Sequence, residues 1–220
     1  MPLEQTAFDG NPYLGIFCAT SEKLTLAPHS SHDKFMAALA CLGTKVIKTT
    51  ILDSNLLGLF CAMNSKGAVV PYGTGDHEIA ALKAEGLNVL VIRDAHNAIG
   101  NNICANDNGA LANPGFSDQD LNRIADCLDV EVVTARVGGF ETVGSAVIAT
   151  NKGFLAHHDA TEEDMTNIAD ILKVKGELGS LNMGCGFVRV CALATTKGVV
   201  AGEVSSGFEM SRLASGLDIV

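Results

Sequence analysis

The chain has 220 residues, which suits one large domain or two small ones, and 47% of them are hydrophobic, which excludes a disordered chain. No apolar run approaches the roughly 18–20 residues that span a bilayer, and Met1 to Pro12 lacks a basic start followed by an apolar block, so a soluble cytoplasmic protein is expected. The net charge of −10 argues against a protein that coats nucleic acid by neutralising phosphates and favours a basic partner, with any RNA contact kept local.

From the N-terminus, Thr6–Tyr13 is a short stretch with no other role in the repeat. The hairpin Ile16–Pro28 follows, with Lys23 read in place of a turn glycine, then a helix marked by Met36 and Leu39 and a strand over Lys45–Thr50. The same order then recurs. Apolar runs at Leu59–Met63, Ile103–Ala105, Ala146–Ala149 and Val190–Ala194 lead into the turns Asn64-Ser65-Lys66-Gly67, Asn106-Asp107-Asn108-Gly109, Thr150-Asn151-Lys152-Gly153 and Thr195-Thr196-Lys197-Gly198. Glycine in these turns is expected to supply the positive φ of a tight hairpin. The helices carry Ile79/Leu82, Leu121/Ile124, Met165/Ile168 and Met210/Leu213, and the pairs step along the chain by 43, 42, 44 and 45 residues. Ser117-Asp118-Gln119-Asp120 and Thr161-Glu162-Glu163-Asp164 read as helix N-caps with acids in the first turn. Strands over Asn88–Arg93, Glu131–Arg136 and Val174–Leu178 close the second, third and fourth copies. The fifth copy runs out of chain after its helix.

These copies define five strand–strand–helix–strand units of about 44 residues in one domain, 1–220. A unit that small cannot bury its own helix face, so neighbours must stack. The last copy stays apolar at Ile219-Val220, which favours a closed ring over an open solenoid, with Thr6–Tyr13 supplying the missing third strand of the fifth copy. The seven cysteines show no CxxC pair and no zinc spacing, and reduced core residues are expected.

Three segments carry a resemblance: Ala98-Ile99-Gly100-Asn101-Asn102-Ile103-Cys104-Ala105-Asn106-Asp107-Asn108-Gly109-Ala110-Leu111, Thr142-Val143-Gly144-Ser145 with Thr150-Asn151-Lys152-Gly153, and Asn64-Ser65-Lys66-Gly67-Ala68-Val69-Val70-Pro71. In that order and at the repeat step, they make the chain similar to the translation initiation factor 6 family from end to end, in its archaeal form. The resemblance implies a five-bladed α/β propeller, the pentein fold. It also implies binding to the large ribosomal subunit, with exclusion of the small one, in initiation or subunit maturation, and no cofactor or metal. Asn101, after the glycine of the third copy, is the first contact residue it points to, followed by Asn102 and Ser145. The alternative for Gly100-Asn101-Asn102 is a polar strand entry that bonds only to local backbone. Arg189 departs from the pattern, standing where other copies have Gly58, Gly100 and Gly144.

Repeat geometry adds a second candidate. Lys23, Lys66, Lys152 and Lys197 occupy hairpin tips in four copies, and a ring would gather them on one face as a basic circle, unless they are plain solvated loop residues. The pentein fold also hosts enzymes that modify guanidino groups with a Cys nucleophile. Cys185, with His157 and His158 beside Asp159, is the nearest such set, and it requires thiol and base within hydrogen-bond reach. Long pocket-building insertions are missing between copies. No third ligand is spaced to make His157-His158 a metal site, and a binding protein acting as a monomer is expected.

Overall fold

The computed structural model describes residues 2–219. Its strands group into five three-stranded sheets, and each sheet is one blade. In blade 1, Ala19–Thr20 pairs antiparallel with Leu24–Pro28, which pairs parallel with Lys45–Thr49. A parallel neighbour requires the chain to cross back, and the helix Asp33–Leu39 makes that crossing. Blades 2, 3 and 4 repeat the arrangement around the middle strands Gly67–Pro71, Gly109–Ala112 and Gly153–His157. Their helices are Asp76–Ala84, Asp118–Leu128 and Glu162–Leu172.

Blade 5 has Ala192–Thr195, Gly198–Gly202 and the helix Gly207–Gly216. Its third strand comes from the other end of the chain: Leu3–Thr6 pairs parallel with Gly198–Gly202. Closure by an N-terminal strand was expected, but over Thr6–Tyr13. The strand lies earlier because residues 7–13 form the connection into blade 1, with Phe8 and Asn11 bridged to each other.

Each inner strand is entered through a four-residue helical turn that the sequence does not announce: Leu14–Phe17, Leu57–Phe60, Ile99–Asn102, Val143–Ala146 and Val188–Cys191, so the apolar runs expected from Ile16, Leu59, Ala146 and Val190 begin inside the turns. The five turns pack side by side in a closed cycle, the fifth against the first, and the inner strands do the same. They surround an axial channel. The second residue of each turn is Gly15, Gly58, Gly100, Gly144 or Arg189. A Cβ on Gly58 would stand 2.0 Å from the Gly15 oxygen, and one on Gly100 would stand 2.0 Å from the Gly58 oxygen, so glycine is what lets these turns approach.

The core is distributed between blades. Leu24 and Leu26 of blade 1 pack with Leu57, Leu82 and Leu87 of blade 2. The same relation links each blade to the next, ending with Leu193 and Val200 of blade 5 against Leu14, Phe35 and Leu39 of blade 1. A fully buried Leu or Phe contributes roughly 1.5–3 kcal/mol, and here each contribution depends on a neighbour being present. Five of the cysteines (Cys18, Cys61, Cys104, Cys127 and Cys191) are buried, and all seven are free thiols.

Candidate functional site

The ring has two faces. On the tip face lie the hairpin tips and the helix C-termini; on the turn face lie the helical turns, the inter-blade loops and the helix N-termini. Asn64 shows what holds the tips. Its Oδ1 accepts from Lys66 N and Gly67 N at 2.9 and 3.0 Å, and its Nδ2 donates to Leu128 O at 2.8 Å, the end of the next blade's helix. Asn106 repeats this with Asn108 N, Gly109 N and Leu172 O. Thr195 reaches Leu42 O at 2.7 Å.

The tip glycines answer to the same contact. Gly67, Gly109, Gly153 and Gly198 are absent from the positive-φ residues, contrary to the reason expected for them. A Cβ on Gly67 would meet Cys127 O at 2.2 Å, and one on Gly109 would meet Ile171 O at 2.1 Å. They are glycine because the neighbouring helix ends there. Blade 1 corrects a second expectation. Ser21 N bonds Leu24 O as Asn64 N bonds Gly67 O, so Leu24 holds the glycine position and Lys23 matches Lys66.

The expected basic circle is broken by carboxylates. Asp107 accepts from Ser65 N and Oγ at 2.8 Å, and Glu22 accepts from Thr196 N, Thr196 Oγ1 and Asn151 N. Lys66 lies 3.7 Å from Asp129, and Lys197 Nζ donates to Gly43 O at 3.0 Å. Lys152 borders a groove of about 640 Å³ together with Lys173, Lys175 and Asp218. This face is mixed in charge.

On the turn face, the third residues of the five helical turns, Ile16, Leu59, Asn101, Ser145 and Val190, ring the axis. With Tyr13, Thr142, Cys185 and Phe187 they line a depression of about 480 Å³. It is apolar apart from Asn101 and the hydroxyls of Ser145, Thr142 and Tyr13. Asn101 is half-buried, and its side-chain amide makes no hydrogen bond among the described residues. Ser145 is recessed, 5% exposed. Asn102 is different. Its Nδ2 donates to Ala98 O at 2.9 Å and its Oδ1 accepts from Asn113 at 2.7 Å, so its amide is spent inside the blade. Outside the depression stand the exposed acids of the helix starts, Asp76, Asp118, Glu162 and Glu163.

Two buried acids on this face were missed in the sequence. Glu78 Oε1 accepts from Thr50 Oγ1 and Asp53 N, and Oε2 accepts from Leu52 N and Gly75 N. Glu209 repeats the pattern with Ser180 Oγ, Gly184 N, Met183 N and Ser206 N. Burial works to raise the pKa of both groups, but the donated hydrogen bonds outweigh it and hold each below 4.5. The clamped loops contain left-handed residues, Leu52 and Asp53 at φ 58° and 54°, and Asn182 and Met183 at 50° and 63°. The signal was available: Gly75-x-x-Glu78 and Ser206-x-x-Glu209 are helix-start spacings.

Among the described residues no hydrogen bond joins Cys185 to His157 or His158. The Cys185 sulfur faces Phe187 O at 4.0 Å, and the Cys191 thiol beside it holds its pKa below the usual thiol range. His157 Nδ1 instead accepts from Asp159 N at 3.1 Å. The structure does bring a third group to the histidines, which the spacing had not predicted: the Asp159 carboxylate stands 3.8 Å from each ring. Because His157 Nδ1 is taken, that trio is explained by its own loop.

A closed ring of five such blades, with its exposed features gathered at two opposite mouths, defines a pentein-fold protein. The model of the eIF-6 family matches residues 3–216, and the chain belongs to that family. It is 38% identical over 216 residues to translation initiation factor 6 of Aeropyrum pernix, covering 96% of this chain and 93% of the relative. To the protein of the same name from Methanosphaerula palustris it is 34% identical over 209 residues, 94% of each chain. To that of Pyrococcus abyssi it is 32% identical over 227 aligned positions, the full length of both. No helix of the described residues is long and apolar enough to cross a membrane.

Proposed function

We propose that this protein acts in translation initiation by binding the large ribosomal subunit through its turn face and so excluding the small subunit, in the cytoplasm, as a monomer and without chemistry of its own. Full-length similarity to proteins named translation initiation factor 6 supports the role. The observation that carries the choice of face is the unspent Asn101 amide on the rim of an apolar depression. An anti-association factor needs rigidity and bulk, and interlocked blades supply both.

The acidic rim and apolar centre match a basic protein segment with an apolar anchor better than bare rRNA. Asn101 and Ser145 lie on the face opposite Lys66, Lys152 and Lys197, so one docking event cannot use both sets in full. The test is co-sedimentation with separated subunits, followed by subunit joining. Wild type is expected to pellet with the large subunit alone and to block joining. Asn101→Ala is expected to weaken pelleting about tenfold, the worth of one good hydrogen bond, and Lys66→Ala to leave it unchanged. Loss of pelleting with Lys66→Ala but not Asn101→Ala would move the site to the tip face. No pelleting at modest salt would overturn the function.

A further inference from the structure

Four of the five residues that crowd the axis are glycine, and the fifth is Arg189. Its side chain runs into the channel, reaching the neighbouring turn of blade 1 and crossing to that of blade 2. Nη1 donates to Gly15 O at 3.3 Å and Gly58 O at 3.0 Å, and Nη2 donates to Cys61 O at 3.5 Å. A guanidinium has five N–H groups and does not give up its proton in a protein. Two N–H groups, that on Nε and one on Nη2, are left over by these bonds.

Arg189 is half-buried in the channel, and no carboxylate among the described residues pairs with its guanidinium. Cys61 and Cys104 are the nearest titratable groups, and burial pushes both thiols up to about 12, so they are neutral and offer no countercharge. Glu22 and Asp107 sit at the far, tip end of the channel, with their oxygens taken by tip donors. A cavity of about 40 Å³ adjoins Arg189, lined also by Thr20, Met63, Ile103, Ile148 and Leu193, with Arg189 its one charged residue. One water needs about 10–15 Å³ of such space, so there is room for a monatomic anion with water. A charge drawn partly out of water without a counterion is costly, and lowering that cost favours an ion from solution.

We propose that the axial cavity binds a small monovalent anion of halide size, held by the unspent N–H groups of Arg189. The ion completes a charge pair that the chain itself leaves open. The site is internal and independent of ribosome docking.

The test is urea unfolding of the full chain, refolded in sodium chloride or in sodium gluconate at equal ionic strength, gluconate being too large for the cavity. Wild type is expected to unfold at a higher urea concentration in chloride. Its folding constant should rise about tenfold for each tenfold increase in chloride above half-saturation. Arg189→Gly restores the residue used in the other four turns, and it should unfold at one midpoint in both salts. Crystals grown in bromide should show an anomalous peak beside the Arg189 guanidinium, a readout that needs no variant. Equal wild-type midpoints, a chloride effect that survives in Arg189→Gly, or water alone beside Arg189 in bromide would each overturn the site.

Discussion

Glu78 and Glu209 fasten two inter-blade loops to the helices that follow them, and their charge is part of the fastening. Because each pKa is depressed in the folded state, its contribution is fully present above the ordinary value of 4.5 and is lost as pH falls through the folded value. Stability is therefore expected to decline in acid below about pH 4.5. Glu209→Gln places an amide opposite backbone N–H donors, so it should cost about 2 kcal/mol at neutral pH and flatten the acid limb. Urea midpoints measured from pH 3 to pH 7 check both. An acid limb as steep in the variant as in wild type would show that other carboxylates set it. The same scale shows the limits of reading residues alone. Asn101 and Asn102 are adjacent and identical in type, yet one amide is unspent and the other is bonded on both sides. The bonds to Ala98 O and to Asn113, eleven residues on and just past the paired strand, separate them.

At the scale of elements, most of the repeat was legible because helices and strands each carry one apolar periodicity. Leu39, Leu82, Ile124, Ile168 and Leu213 are all buried on the helix faces that the spacing picked out. The helical turns were not legible. Four residues are too few to show a period, and Leu57–Phe60 or Val188–Cys191 are as apolar as the strands they precede. The tip glycines were found for the wrong reason, since hairpin strain and close approach leave the same letter in a sequence. That difference is testable. Gly109→Ala should be tolerated by the local φ but drive a methyl into Ile171 O, costing roughly 3 kcal/mol by overpacking. Gly10→Ala, at φ 79° with open space around it, should cost only about 1 kcal/mol of backbone strain. Thermal melts of the two variants compare the causes directly, and a larger loss at Gly10 would refute the account.

For the whole molecule, each blade's core is half made by its neighbour, so the ring should melt as one unit. Deleting Leu3–Thr6 removes the parallel partner of Gly198–Gly202 and exposes a sheet edge in blade 5. That truncation is expected to lower the melting temperature by several degrees and to promote association through the bare edge. Light scattering and calorimetry check it, and a monomeric truncation with unchanged melting would mean that the strand is ornamental. The faces were legible from the sequence only in part. Equivalent positions in a ring must share a face, which places Lys66, Lys152 and Lys197 together at the hairpin tips. That Asn101 and Ser145 lie at the opposite mouth follows only once the inner strands are seen to run from one face to the other.

The borrowed strand also has a consequence in time. During synthesis Leu3–Thr6 leaves the ribosome before any of blades 1 to 4, while its partner, from Gly198 onward, follows all of them. Until that partner is made the leading strand waits unpaired, and blades 1 to 4 can assemble only as an unclosed arc. Ring closure is therefore the meeting of an early and a late part of the polypeptide. A nascent chain halted before blade 5 is translated should display that early strand to proteases or chaperones, and a finished chain should hide it.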